Sequence, residues 1–405
     1  MVDVDVVIVG GGPGGVSTAL FAAAEDPAMV DRIVVIERGR YPREKICAGA
    51  LGGRADRALA EIGVHVEVPE RIVRGVSVSS AMGSLAVRRD APIGRVVRRR
   101  DFDSAFAEEA KARGVRFLEG SGVVSCERRS DSVRLTLDDG RELRARVVVG
   151  ADGVGSVIRR SLGIRRRSFY AQAIEVDTPA GVGDPDSELL HFDATDRSLR
   201  GYVWDFPTLV DDQPMVCRGV YELRGRLDGR GREASDGPRG PGTRERLLRH
   251  LERRGIDSAG LRFKHYSERA LSLHEPIAVP RAMLVGEAAG IDALLGEGIA
   301  QAILYGKTAG PYLARALRRG EYDFADWPRV LSSSTVGLDL RLRARMAGWI
   351  YDDARPLAER FITRSQAFAT AGIHYFAGDK PPLWALARSA LGLAQASVQG
   401  HPFRF

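Results

Sequence analysis

A run rich in β-branched residues, Val4-Asp-Val-Val-Ile-Val9, breaks directly into Gly10-Gly11-Gly12-Pro13-Gly14-Gly15. No other feature limits the fold of this chain as much. Good helix formers follow (Val16-Ser-Thr-Ala-Leu-Phe-Ala-Ala-Ala), and then a second buried-type run, Ile33-Val-Val-Ile-Glu37. Strand, glycine turn, helix and strand within about 35 residues predict the opening βαβ of a nucleotide-binding fold. The cluster contains G-x-G-x-x-G, and each glycine has a reason. Gly10 permits the tight turn, Gly12 lets backbone approach a pyrophosphate, and Gly15, beside Gly14, lets the helix lie close on the strand. The helix N-terminus supplies N–H donors and about half a positive charge. Glu37 ends the second strand 22 residues after Gly15. That places it to accept hydrogen bonds from a ribose diol. The expectation is dinucleotide binding.

The 405 residues suffice for layered structure around a sizeable core. No uncharged apolar stretch reaches about 18 residues, and the N-terminus has acids where a signal peptide needs cations. Three cysteines, Cys47, Cys126 and Cys217, form neither a disulfide framework nor a zinc pattern, which suggests a reducing cytoplasm. The net charge of +7 sits in runs such as Arg98–Arg100 and Arg165–Arg167, without interleaved aromatics, so nucleic-acid binding is not expected. An anionic cofactor or a membrane surface fits the charge better. The seven histidines are scattered, His274 alone lies near a motif, and none is assigned to a metal or to catalysis. Residues 102–113 read as an amphipathic helix ended by Gly114, and 172–222 alternate as strands. Residues 224–244 read as an exposed loop, and the chain is mostly helical from about 298 onward.

Two further strand ends carry carboxylates: Gly150-Ala-Asp152-Gly153-Val-Gly-Ser156-Val-Ile-Arg159 and Val285-Gly286-Glu287-Ala-Ala-Gly290. Asp152 and Glu287 there could face ribose and pyrophosphate oxygens, with a purely structural role for Asp152 as the alternative. Gly296-Glu297-Gly298-Ile299 is a glycine turn entering a helix, and the dipole of that helix would favour an anionic reduced flavin ring. Together with the glycine loop, Glu37 and Val97-Arg-Arg99-Arg-Asp-Phe102-Asp103, these segments resemble the FAD-dependent oxidoreductases built around p-hydroxybenzoate hydroxylase. The resemblance covers about residues 1–310 and implies FAD. It also implies cofactor contacts from Arg99 and from the backbone at Val123; a solvated surface charge is the alternative for Arg99. Tyr41-Pro42-Arg43-Glu-Lys45-Ile-Cys47-Ala48-Gly49 is similar to the P-x-x-K-x-C-G-G segment of the geranylgeranyl reductase branch, which relates to flavin-dependent halogenases. It implies that Ala48 and Gly49 lie against the flavin, with Cys47 as a candidate proton donor; a space-filling residue is the alternative. Gly201-Tyr202-Val-Trp204-Asp-Phe206-Pro207 matches that branch's Y-x-W-x-F-P, and period-2 alternation puts Tyr202, Trp204 and Phe206 on one face as a substrate wall or as sheet core. Gly-Asp of the family is Gly286-Glu287 here, Cys47 is followed by Ala48 instead of Gly, and five residues separate Gly290 from Gly296.

The expected fold is α/β (α+β taken as a whole). A three-layer Rossmann-like FAD/NAD(P)-binding domain comes from 1–75, 95–170 and 275–320, an antiparallel-sheet substrate domain from 76–94 and 171–274, and a helical region from 321–405. The expected reaction is reduction of carbon–carbon double bonds in an isoprenoid-like or other apolar natural product, by hydride transfer from flavin N5. A hydroxylase or halogenase working through a flavin hydroperoxide is one alternative, and a flavoprotein that modifies or docks on a partner protein is another. NAD(P)H, reduced ferredoxin or another reductant would serve as transient electron donor. The substrate would be small and apolar, and the location cytoplasmic or peripheral to a membrane, with Trp349, Ile350 and Tyr351 over the substrate chamber, on a lipid surface or packed against the FAD domain.

Overall fold

The computed structural model describes residues 3–164, 170–225, 240–272, 275–353 and 355–398. Most of the expected loop at 224–244, the Arg165–Arg167 run and His274 lie outside the described residues. The chain is a mixed α/β fold on three sheets.

The first sheet grows from the predicted βαβ. β1 (Val4–Val9) leads into α1 (Pro13–Glu25), and a short α2 (Met29–Arg32) precedes β2 (Ile33–Glu37). β1 lies parallel between β2 and β11 (Glu142–Gly150), which in turn pairs parallel with β18 (Ala282–Leu284). β8 (Arg116–Glu119) and β17 (Ala278–Val279) close the edges, and β9 (Val123–Arg128) and β10 (Val133–Leu137) fold back antiparallel from β11. Valine and isoleucine dominate β1, β2 and the end of β11, as a sheet covered on both faces requires. The helix α4 (Arg99–Ala112) starts three residues before the predicted position, because Arg99 joins its first turn by pairing with Asp103 at i+4. α1 packs on α4 and on the long α7 (Ile299–Arg319).

The second sheet runs β16 (Lys264–Arg269), β12 (Tyr170–Pro179), β15 (Gln213–Arg224), β14 (Gly201–Val210), β13 (Leu189–Ala194), β5 (Gly75–Ser80) and β6 (Gly83–Arg88). All its neighbours are antiparallel except β13 with β5. Its outer face packs Ile174, Val176, Val203 and Val220 against Leu247 and Leu251 of α6 (Thr243–Arg253). Its inner face is aromatic and looks toward the third sheet, β3 (Ala50–Gly52), β7 (Gly94–Val97) and β4 (Glu70–Val73). The remaining helices are α3 (Gly53–Ala60), α5 (Val157–Ser161), α8 (Trp327–Ser333), α9 (Thr335–Gly348), α10 (Arg355–Arg364), α11 (Gln366–Ala377) and α12 (Leu383–Val398). A π-helical turn, Trp349–Asp353, follows α9. Among the described residues no helix is long and apolar enough to cross a membrane.

Candidate active site

The glycine loop is shaped by close approaches. A side chain at Gly15 would overlap the carbonyl of Gly10, and one at Gly10, whose φ is +106°, would overlap that of Ala151. Backbone therefore meets backbone where β1, α1 and β11 converge. The N-terminus of α1 has no side-chain cap and no acid in its first turn. Glu37 sits 5% exposed at the end of β2 and accepts from the Gly11 N–H at 3.0 Å, the Gly39 N–H at 2.9 Å and Arg43 Nη2 at 3.0 Å. Arg43 also pairs with Asp103 at 3.0 Å, and Asp103 is held by Arg99 through Nε at 2.7 Å and Nη2 at 2.8 Å. Both guanidinium groups lie about 4.0 Å from where a Gly12 side chain would stand. The space over Gly12 is thus open and flanked by two cations and a helix N-terminus.

Further along the cleft, Cys47 is half-buried, and its sulfur accepts from the Gly49 N–H at 3.4 Å. Burial pushes the thiol's pKa up, Arg99 pulls it down, and Glu175 and Glu268 push it up further. Cys47 therefore holds its proton at neutral pH. Glu287 lies in the single 3₁₀ turn after β18 (Gly286–Ala288). Burial raises its pKa against the pull of Lys45 and Arg99, and its Oε1 has no partner. Asp152 is occupied: it accepts from Ser156 Oγ at 2.6 Å and from the N–H groups of Val157 and Ile158 at 2.7 and 3.1 Å, capping α5. This is the structural role that the sequence left open for it. Val123 starts β9, buried in the core, with the neighbouring Ser121 N–H bonded to the carbonyl of Glu37.

The turn from 291 to 298 enters α7, whose N-terminus at Gly298 and Ile299 is uncapped and free of acids. Its backbone is held from two sides. Asp292 accepts from the N–H groups of Leu294, Leu295 and Glu297 and from Arg343 of α9 at 2.7 Å. Three phenols take three consecutive carbonyls: Tyr221 donates to Ala293 at 3.1 Å, Tyr351 to Leu294 at 2.7 Å, and Tyr202 to Leu295.

Tyr202, Trp204 and Phe206 share the inner face of β14, as predicted, and Phe192 meets Tyr202 and Phe206 edge-on at 5.1 and 5.2 Å. Tyr221 stacks on Tyr202 at 5.3 Å. Tyr351 and Ile350 join this cluster, so the turn after α9 packs on the aromatic inner face of the second sheet.

The fold therefore brings the glycine loop, Glu37, Arg43 and Arg99 together, and Arg99 also reaches Cys47. The aromatic wall packs on the turn that leads to Gly298. Sequence reasoning did not single out Arg43, Asp103, Asp292 or Tyr221. It also missed two acids on the inner face of the second sheet, Glu175 and Glu268. Arg43 lay within a segment already quoted, but only strand register could have placed the acids. The residues present suit FAD. An open space bounded by Arg43 and Arg99 fits a pyrophosphate, a carboxylate ends β2, and a buried oxygen on Glu287 has no partner among the described residues.

A family model described as an FAD binding domain matches residues 3–192. The chain is 31% identical to menaquinone reductase of Mycobacterium tuberculosis over 215 residues, 50% of this chain and about half (52%) of that protein. It is 26% identical over 342 residues to digeranylgeranylglycerophospholipid reductase of Methanocaldococcus jannaschii, 78% of each chain. The crystal structure of a geranylgeranyl bacteriochlorophyll reductase-like protein from Thermoplasma acidophilum shares the fold, with a TM-score of 0.71 at 20% identity over 98% of both chains.

Proposed function

From the premise that this chain is an FAD-dependent oxidoreductase of the geranylgeranyl reductase type, we propose that it hydrogenates carbon–carbon double bonds of a long, apolar, isoprenoid-like substrate. The reading rests on the aromatic inner face of the second sheet, built from Phe192, Tyr202, Trp204 and Phe206, and on the Cys47 thiol, whose pKa burial raises. Such a face is largely apolar, as an alkene chain requires. The two named relatives are both called reductases, of menaquinone and of digeranylgeranylglycerophospholipid.

Bound FAD supplies the two-electron chemistry. Glu37 would hold the ribose, the α1 N-terminus at Gly12 and Gly14 with Arg43 and Arg99 would hold the pyrophosphate, and the backbone at Val123 would meet the adenine. Ala48, Gly49, Glu287, Gly298 and Ile299 would contact the ring. Cys47 releases its proton to the alkene carbon that does not receive the hydrogen from the cofactor. General-acid help of this kind is worth about 10²–10⁴ in rate. A nicotinamide, a reduced ferredoxin or a similar donor visits transiently, since the described residues hold a single glycine fingerprint. The substrate is collected at a lipid surface through α12, which exposes Leu383, Trp384, Leu386 and Leu391 beside Arg388.

Anaerobic single-turnover reaction of the photoreduced holoenzyme with a polyprenyl lipid tests the reading. A product that gains two hydrogens per double bond supports it. A product that acquires oxygen or halogen only in air, with no hydrogenation, overturns it in favour of a hydroxylase or halogenase.

A further inference from the structure

The N-terminus of α7 is free of acids within its first turn, yet a carboxylate stands at its entrance. Glu297 directly precedes Gly298, the cap residue of that helix. A helix N-terminus carries about half a positive charge. An unpaired carboxylate beside it would cancel that charge and more. Glu297 Oε1 is shielded from solvent and has no hydrogen-bond partner among the described residues. Asp292 brings a second negative charge into the same turn, where it accepts from the N–H groups of Leu294, Leu295 and Glu297.

Two guanidinium groups offset these acids. Arg54 of α3 meets Glu297 Oε2 at 2.6 Å and Asp339 Oδ2 at 3.1 Å. Arg343 of α9 meets Asp292 Oδ2 at 2.7 Å, Glu297 Oε2 at 3.0 Å and Asp339 Oδ1 at 2.9 Å, one carboxylate for each of its three nitrogens. Gln301, fully buried in the first turn of α7, donates to Asp339 Oδ2 at 3.0 Å. None of the charged side chains in this cluster is more than 11% exposed, so water and salt screen them little. Buried ion clusters are seldom worth more to stability than apolar packing of the same volume. Neither arginine belongs to a glycine or flavin motif of the sequence. The position of the cluster, against the turn that opens α7, accounts for it better.

Resting on the reading that Gly298 and Ile299 would contact the flavin ring, we infer that Arg343, with Arg54, is a positioning residue that holds back the negative charge at the opening of α7 and so makes the bound ring easier to reduce. The ring gains a negative charge when it takes up two electrons and one proton, both electrons coming from the nicotinamide-class or ferredoxin-class donor. With Arg343 in place, three carboxylates face two guanidinium groups. Without it they face Arg54 alone, and the excess negative charge beside the helix N-terminus doubles. A side chain of the C-terminal helices, which touches no cofactor itself, thereby sets the reducing power of a cofactor bound by the rest of the chain.

The test measures the midpoint potential of FAD in purified holoenzyme, by anaerobic equilibration with an indicator dye, for wild type, R343Q, R343K and E297Q. Flavin content checks folding. In R343Q the ratio of reduced to oxidised FAD at a given potential should fall roughly tenfold, the scale on which a helix terminus acts on a partly buried charge. For two electrons that is a midpoint lower by about 30 mV. R343K keeps the charge and should return most of the shift. E297Q removes the carboxylate itself and should move the midpoint up. A clamp with only a structural role would loosen FAD in both oxidation states and leave the midpoint where it was, or shift R343Q and E297Q alike. Either result would overturn the inference. Should R343Q retain no flavin, E297Q decides alone: an upward shift supports the inference, and no shift or a downward one overturns it. Midpoints that move as expected in an enzyme that hydrogenates no polyprenyl lipid would overturn the proposed reaction and leave this inference standing.

Discussion

Glu175 shows how far one residue can depart from what its strand suggests. It alternates with Ala171 and Ala173 on the inner face of β12, and its pKa is pushed up to about 7, chiefly by burial, with Asp177 adding to the shift and Lys264 and Arg98 opposing it. The folded state therefore binds a proton that the unfolded state has lost between pH 4.5 and about 7. Stability from this group is complete below the lower value and is lost as pH rises through the upper one. The full loss is on the order of 3 kcal/mol. E175Q, neutral at every pH, should give a melting temperature that declines less than the wild type's across that window, read by calorimetry at a series of pH values. Glycine chemistry was legible at this scale: the motif alone located Gly10, Gly12, Gly15 and Glu37. Glu175 and Glu268 were not, because an acid in an alternating segment reads as the solvent side of a strand. Only the antiparallel register, set by residues some 40 to 100 positions apart, turns it inward.

At the scale of elements, the first βαβ, the strand at Met283 and the helix after Gly298 were readable because each is announced by a local glycine turn. What holds the 291–298 turn was not readable. Its three phenol donors come from β14, β15 and the segment after α9, which no spacing connects. Y351F removes one buried hydrogen bond, worth about 0.5–1.5 kcal/mol. If that turn borders the ring, FAD should bind roughly two- to tenfold more weakly, as read by equilibrium dialysis. The crossing of α1 and α7 is similarly specific: a side chain at Gly310 would stand 2.5 Å from the Ala22 backbone nitrogen. G310A should cost about 1–3 kcal/mol by overpacking, measured by urea unfolding.

At the scale of the molecule, the composition gave the right class, a layered protein with a basic surface. The apolar exposure of α12 emerges only when its other face is seen to be covered. Ala385 and Ser389 are buried while Leu383, Trp384 and Leu386 are open. W384S/L386S should lower co-sedimentation with anionic vesicles several-fold and leave the FAD content unchanged. If the wild type ignores such vesicles, the lipid contact proposed for this helix is wrong. Arg343 joins α9 to Asp292 and Glu297 and pairs with Asp339 on the same helix, and Arg54 of α3 reaches Glu297 and Asp339 as well. The glycine loop leaves the ribosome well before Arg343 and Tyr351, the side chains that pin the 291–298 turn. A growing chain would thus own the adenosine half of its cradle long before the half that borders the ring. Lasting capture of the cofactor would then wait for the segment that carries Arg343 and Tyr351, and a shortage of flavin would be felt only after that segment is made.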